Sequence, residues 1–372
     1  MPATPRALIV GGGIAGLAAA VALGRRGISC ELVEISASGE PMGAAVTFRA
    51  QALQALAALG MLEACRELGC ADSITGETYD AAGVLMNPGP RLRQPPSITV
   101  YRPVLAALLQ QQARGLGVAL RFAISPRAIA PARKGVEVMF SDGRTGFYDL
   151  VVGADGLDSL VRRLVFGDAV RPQYAGQIAV RWMAEGAPID GPHMLYRAGE
   201  LSLLSIPLPQ QRLIYVSMVE HGEPPGHIDD EAARGLLARQ LARFTAPYVT
   251  ALAQRLHARS KVIVRPIEWL LLPEPWYRGR VLLIGDAAHA PTAQMPLGGG
   301  MALEDAVVLA ECLAAAEALP AALAAFMARR FERVRLVIDA SVAISQFERE
   351  GREPAFINDY RAGVLRRLAV PY

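Results

Sequence analysis

The chain has 372 residues, 52% of them hydrophobic and 20% charged, with a formal net charge of +3. That length allows two or three domains, and the composition describes a globular chain with a large core rather than a disordered one. The small, scattered charge argues against a nucleic-acid partner, and Cys30, Cys65, Cys70 and Cys312 form no C-x-x-C pair, which argues for a reducing, cytoplasmic setting.

The first elements lie in "RALIVGGGIAGLAAAVALGRRGISCELVE", Arg6 to Glu34. Ala7–Val10 reads as a buried parallel strand, Gly11–Gly13 as a tight turn, and Ile14–Arg26 as an Ala- and Leu-rich helix stopped at Gly27. "ISCELVE" reads as a second strand ending in an acid. No charged side chain falls between Ala7 and Gly24, which invites a membrane or signal-peptide reading. Each interior glycine would cost a spanning helix roughly 0.8–1 kcal/mol relative to Ala, and a strand stands where a cleavage region would follow. Gly11, Gly13 and Gly16 instead spell G-x-G-x-x-G: a tight turn, close approach to a pyrophosphate, and close helix–strand packing. Ile14 and Ala15 open the helix, whose unpaired N–H groups favour phosphate. Glu34 can accept hydrogen bonds from an adenosine ribose and would repel a 2′-phosphate. A dinucleotide site, for NAD or FAD, is expected here.

Further along, "AQALQALAALGMLEACREL" (Ala50–Leu68) has helical periodicity broken at Gly60, and "RPVLAALLQQQARGLG" (Arg102–Gly117) is an amphipathic helix with Pro103 in its first turn. "VALRF" and "GVEVMFSDGRTGFYDLVVGADG" read as strands, with "SDG" a hairpin turn. Alternation from Tyr174 to Glu220 predicts an antiparallel sheet, followed by helices near Asp229–Phe244 and Val249–Ala258 and the strand "VIVRPIEWLLL". A buried strand in "RGRVLLIGDAAHA" then precedes long helices over Met301–Ala316 and Pro320–Glu348. The fold class expected is α/β: a Rossmann-like dinucleotide domain carrying an inserted antiparallel β-sheet domain, closed by C-terminal helices. Residues 1–72, 97–170 and 274–335 are expected in the first domain, 73–96 and 171–273 in the insert, and 336–372 in a C-terminal helical segment.

Two later stretches discriminate among dinucleotides. "DLVVGADGLDSLVRR" ends a strand at Asp155-Gly156. "GRVLLIGDAAHAPTAQMPLGGGMALEDAVVLA" ends another at Gly285-Asp286 and supplies Gly298, Gly299 and Gly300 immediately before a helix. A carboxylate at a strand end can bind sugar-like hydroxyls, and a glycine-rich helix N-terminus can hold a partly anionic ring edge.

From about Ala7 to Arg335 these motifs, in this order, resemble the single-component FAD-dependent aromatic hydroxylases, the p-hydroxybenzoate hydroxylase-like flavoprotein monooxygenases. The resemblance implies that Gly11, Gly13 and Gly16, with Ile14 and Ala15, hold the FAD pyrophosphate and Glu34 the adenosine ribose. It assigns Arg102 and Asp155 to the cofactor, Asp286 to the ribityl chain, and Gly298–Met301 to a turn whose N–H groups face the flavin pyrimidine. NADH or NADPH would reduce the flavin transiently, and O2 would add to give a C4a-hydroperoxide that hydroxylates a small electron-rich phenolic ring. The family often has proline at Ala293 and glutamine at Leu297, so this chain departs from it at both. Other reactions of the same group, such as halogenation, or flavin binding without turnover, are the alternatives.

For the substrate, Arg181 and Met183 share one face of "IAVRWM", and Leu213, Tyr215 and Ser217 one of "RLIYVSM". Arg181 could bind an acidic substrate or the flavin edge, and Tyr215 could orient a phenol; a solvent-facing arginine and a packed core tyrosine are the plainer readings. His193 and Tyr196 are weaker candidates. His193, His221, His227, His257 and His289 lack metal-ligand spacing, so no metal is expected, and His289 reads as a structural hydrogen-bonder. The protein is expected to be a monomer or homodimer with no membrane partner.

Overall fold

The stretch after Arg6 is uncharged because protein covers it on every side. The computed structural model describes residues 6–38, 44–49, 51–72, 75–86, 95–190, 194–226 and 228–372. Strand β1 (Ala7–Val10) runs into helix α1 (Ile14–Gly24) and strand β2 (Cys30–Glu34). β3 (Ala45–Arg49), α2 (Gln51–Ala58), α3 (Leu62–Leu68), β4 (Cys70–Ala71), β5 (Thr78–Asp80), β6 (Ser97–Tyr101) and α4 (Arg102–Gly115) follow. Next come β7 (Ala119–Phe122), β8 (Pro126–Ala132), β9 (Gly135–Phe140), β10 (Thr145–Tyr148), β11 (Leu150–Gly153) and α5 (Leu160–Phe166).

The insert comprises β12 (Gln173–Glu185), β13 (Leu195–Ala198), β14 (Leu201–Leu208), β15 (Leu213–His221), α6 (Asp230–Leu241), α7 (Pro247–Ala253) and β16 (Val262–Leu271). The chain ends with β17 (Tyr277–Arg278), β18 (Val281–Leu283), β19 (His289–Ala290), α8 (Gly298–Ala315), α9 (Leu319–Arg349) and α10 (Pro354–Arg367).

A six-stranded sheet has the order β17-β18-β11-β1-β2-β7. Its strands pair in parallel except for the β17/β18 hairpin. β1 lies inside this sheet and is buried along its length, as its unbroken apolar run predicts. α1 is buried from Ala15 to Leu23, packed between the sheet, α4 and α8; a helix apolar all round needs such a site. Among the described residues no helix is long and apolar enough to cross a membrane.

The second large sheet has seven strands in the order β19-β16-β12-β15-β14-β13-β5, antiparallel except where β5 joins β13. Strand alternation divides it into two faces. Val180, Trp182, Tyr196, Val216 and Met218 bury one face against Leu237, Tyr248 and Leu252 of α6 and α7. Met183, Leu204, Ile206 and Tyr215 lie on the other, against Ala44, Ala45 and Tyr101. The sheet is therefore the partition between a helical backing and the dinucleotide-type layers. The fold is α/β, with a Rossmann-like parallel sheet, a largely antiparallel inserted sheet and C-terminal helices, as the sequence predicts.

Several boundaries differ. The helix expected over Val249–Ala258 spans Pro247–Ala253, because Pro247 suits the first turn, where its missing N–H costs nothing. Gly60, at φ +73°, breaks the segment between α2 and α3, as the sequence predicts. The boundary expected at 335–336 falls inside the continuous helix α9, and α10 adds a helix that periodicity did not single out.

Candidate active site

The glycines of the first turn answer to different neighbours. Gly11 has φ +112°, and a Cβ there would lie 2.4 Å from the Ala154 carbonyl oxygen. A Cβ on Gly16 would lie 1.9 Å from the Gly11 carbonyl oxygen. Both are required by the fold itself. Gly13 is exposed, and a Cβ there would meet nothing within 4 Å, so its small size serves something that approaches from the cleft. The first intrahelical bond of α1 runs from Leu17 N to Gly13 O, leaving the N–H groups of Ile14, Ala15 and Gly16 ahead of it free to donate. No acidic side chain occupies that first turn.

Glu34 stands at the end of β2 beside this turn. Its Oε2 accepts from Gly12 N at 2.6 Å and its Oε1 from Ser36 N at 2.7 Å. Each oxygen keeps a second acceptor position for a ribose hydroxyl. Asp155 is differently occupied: it accepts from Ser159 Oγ at 2.5 Å, Leu160 N at 2.7 Å and Val161 N at 3.0 Å. These bonds join it to the N-terminus of α5. Burial nevertheless raises its pKa above the usual carboxylate value, against the pull of those donors.

At the end of β18, Gly285 (φ +57°) fits between α1 and α8; a Cβ there would sit 2.8 Å from Ala15 Cβ. Its N–H donates to Asp305 Oδ2 at 2.9 Å, which aims the adjoining Asp286 into the cleft. Asp286 is reachable by solvent along the cleft although protein surrounds it deeply. Among the described residues its carboxylate accepts no hydrogen bond. Burial raises its pKa; His289 and Arg102 oppose the shift and Asp305 adds to it.

Asp305 anchors the motif from behind. Its Oδ2 also meets His289 Nε2 at 2.7 Å, and its Oδ1 accepts from Arg330 Nε at 2.8 Å. Arg330 Nη1 donates to Glu304 at 2.6 Å. Burial pushes the Asp305 carboxyl up, but His289, Arg330 and the Gly285 N–H outweigh it and hold its pKa below the usual value. His289 is 1% exposed, and its role is the structural one expected.

The glycine triplet corrects one expectation. Gly298–Gly300 form the first turn of α8 rather than a loop before it. A Cβ on Gly299 would lie 2.8 Å from Val46 Cγ2, and one on Gly300 2.9 Å from Ala52 Cβ. The triplet lets the helix N-terminus dock on β3 and α2, while a Cβ on Gly298 would lie 4.0 Å from Asp286 Oδ1. The free N–H groups of α8 thus start beside Asp286, and Met301 is buried one turn in.

Arg102 opens α4, its backbone N–H donating to Ala44 O at 3.1 Å. Its Nε is buried with no hydrogen-bond partner among the described residues. Burial lowers its pKa and Arg181 lowers it further, while Asp286 and Tyr215 raise it. Arg102, Arg181, Tyr215 and Asp286, from four separate parts of the chain, are therefore one electrostatic group. β12/β15 register pairs Arg181 with Ser217 and Met183 with Tyr215, placing all four on the sheet face away from α6 and α7. Tyr215 is 8% exposed and packs on Ala44, Ala45, Ile206 and Leu208, so core packing is part of its role.

Tyr196 leaves the candidate set: it stacks on Tyr248 at 6.1 Å between centroids, on the helix-covered face. His193 and His227 lie outside the described residues. Among those described, no group of His, Cys, Asp and Glu could hold a metal ion. Spacing did not single out Asp305 and Arg330; their only sequence mark is charge within otherwise buried helical stretches.

The residues fit FAD: a glycine-lined approach at Gly13, two helix N-termini with free donors, an accessible carboxylate at Asp286 and a buried Nε on Arg102, both without hydrogen-bond partners among the described residues. Residues 4–341 match the family model described as "FAD binding domain". The chain is 31% identical to aurachin C monooxygenase/isomerase of Stigmatella aurantiaca, covering 91% of this chain and 88% of that one. It is 30% identical to the FAD-dependent urate hydroxylase of Klebsiella oxytoca, covering 90% and 88%. The crystal structure of Klebsiella pneumoniae HpxO complexed with FAD and uric acid superposes with a TM-score of 0.80 at 25% identity, covering 98% of each chain.

Proposed function

The chain belongs to the FAD-binding-domain family and is an FAD-dependent monooxygenase; on that premise we propose that it hydroxylates a small, electron-rich aromatic or heterocyclic ring with NAD(P)H and O2. FAD, when bound, would supply the redox chemistry, two-electron transfer from NAD(P)H and activation of O2, with one oxygen atom delivered to the ring and the other released as water. Relatives named for urate and for 3-amino-4-hydroxybenzoate support a compact ring as substrate.

The chain's own residues have separable tasks. The N–H groups of Ile14, Ala15 and Gly16 hold the diphosphate, and Glu34 the adenosine ribose. Asp286 accepts from the ribityl hydroxyls, and the first turn of α8 donates to the flavin pyrimidine edge. Arg181 faces the cleft from β12 and stabilises the anionic form of the substrate, the better nucleophile. Tyr215 Oη orients it. The apolar sheet face around Met183 and Ile206 excludes water. Asp155 acts through α5, holding the strand end against which Gly11 rests.

The observation that carries this reading is the convergence of Arg102, Arg181, Tyr215 and Asp286 on one cleft between two glycine-lined helix N-termini. Purified protein should carry FAD, and a panel of phenols, aromatic acids and purines should contain a compound that stimulates NAD(P)H oxidation with matching product hydroxylation. Asp286→Ala should lose most of the flavin. Flavin-loaded protein that oxidises no NAD(P)H with any of the panel would leave a flavin-binding protein without turnover.

A further inference from the structure

One short loop, residues 291–297, carries the chain from β19 to the first turn of α8. Thr292, Gln294 and Met295 are buried in it, while Ala293 and Pro296 are exposed. Thr292 is held by α9: its N–H donates to Ser341 Oγ at 3.1 Å and its Oγ1 to Ser341 O at 2.9 Å. Gln294 reaches further. Its Nε2 donates to Gln177 Oε1 at 2.6 Å and to Glu348 Oε2 at 3.1 Å. Gln177 Oε1 also accepts from Ser345 Oγ at 2.9 Å, and Gln177 Nε2 donates to Glu348 Oε2 at 3.5 Å.

These partners fix how the Gln294 amide lies. Turned over, it would set Oε1 against two acceptors, so Nε2 must face them. Its Oε1 has no hydrogen-bond partner among the described residues, so Gln177 and Glu348 orient the group. Ser341, Ser345 and Glu348 share one face of α9, at i, i+4 and i+7. Both serines are buried where alanine would favour the helix more, and their hydroxyls bond to the loop and to β12. On β12, unbroken pairing with β15 from Gln177 to Glu185 puts Gln177 on the same face as Arg181. Four residues, roughly 13 Å of strand, separate the two. Through one amide, Gln294 therefore ties the loop before α8 both to α9 and to the strand that carries Arg181.

We propose that Gln294 is a positioning residue: it keys the first turn of α8 to the inserted sheet and so sets how closely the N–H groups of that turn approach the flavin pyrimidine edge. The inference rests on the flavin reading, which assigns that edge to α8. The three glycines of the turn offer no side chain to hold it, so its placement against the sheet depends on the loop before it. Helix N–H groups stabilise negative charge, and the pyrimidine edge gains negative charge when the flavin is reduced. A turn released from its key withdraws those donors, and the flavin becomes harder to reduce.

The test compares Gln294→Leu, Gln177→Leu, the double variant and the milder Ser345→Ala by two measurements. The first is hydrogen exchange in flavin-free protein at the Leu297 and Met301 amides, which bond to Met295 O and Leu297 O. The second is the midpoint potential of the bound flavin. Each leucine variant should speed exchange by about tenfold, the loss of one buried hydrogen bond, and shift the potential to more negative values. The double variant should shift no further than either single one, because both remove the same contact. Ser345→Ala, which keeps the amide pair, should move both quantities the same way by less. A side chain that served stability alone would leave the potential of folded, flavin-loaded protein where it was. An unchanged potential in Gln294→Leu would therefore overturn the proposal, as would fully additive shifts in the double variant. If the leucine variants do not fold, Ser345→Ala decides, and no change in either quantity overturns it. A parent protein that takes up no flavin would defeat the flavin reading instead, while the exchange rates still decide whether Gln294 holds the turn.

Discussion

Buried charge is handled in opposite ways on the two sides of α8. Behind the helix, Asp305, Glu304, His289, Arg330 and Arg333 form a web in which each charge meets a partner within the chain. On the cleft side, Arg102 keeps a buried Nε with no hydrogen-bond partner, and Asp286 accepts no hydrogen bond, among the described residues. The first arrangement holds the backbone, fixing Gly285 through its N–H. The second holds potential for a ligand. The contrast separates charges that stabilise this fold from charges that the fold tolerates for function.

Substitution of Asp305 by Ala should produce the largest effect, because it strands Arg330 in the interior. A loss of about 3–5 kcal/mol is expected for an uncompensated buried charge, measured by urea unfolding of the flavin-free protein. A loss below about 1 kcal/mol would break the comparison, since the web would then be no more structural than the cleft.

Arg102→Met should do the reverse. Removing a desolvated guanidinium from apo protein should leave stability within about 1 kcal/mol or raise it, while FAD affinity falls. Equilibrium dialysis against FAD, beside the same urea titration, separates the two quantities. Strong destabilisation of the apo protein would move Arg102 into the structural class.

The two aspartates should give opposite pH signatures. The folded pKa of Asp305 is lowered, so its stabilisation is full above the unfolded carboxylate value and is lost as pH falls through the folded value. The folded pKa of Asp286 is raised, so its contribution is full below the unfolded value and is lost as pH rises through the folded one. Apo Asp286→Asn should therefore gain stability relative to the parent as pH climbs from about 3 to 7. A pH-independent difference would show that Asp286 is not desolvated in the apo protein.

The smallest stability effect is expected at Gly13. Its backbone lies in an extended region open to any residue, φ −75° and ψ −175°, and a Cβ has room. Gly13→Ala should leave thermal stability unchanged or raise it by about 0.4–1 kcal/mol yet weaken FAD binding. Retained FAD affinity would show that the diphosphate does not approach there.

Local chemistry made much of this legible. A short apolar run, glycines at turn and packing positions, and an acid at a strand end specify the β1–α1–β2 unit because each depends on backbone conformation and near neighbours. Gly11, Gly16 and Gly285 carry that information directly, since only glycine fits where other atoms would lie well inside van der Waals contact of a Cβ. Alternation likewise placed Arg181 and Tyr215 on their strands.

What sequence alone did not decide was which charges meet. Arg330 finds Asp305 only when α8 and α9 pack on the sheet layers. Nor did spacing distinguish the cleft aspartate, Asp286, from Asp155, which bonds instead to α5. Coulomb interactions and desolvation act through space, so only the assembled fold determines whether a charged residue is matched, strained or open to a ligand.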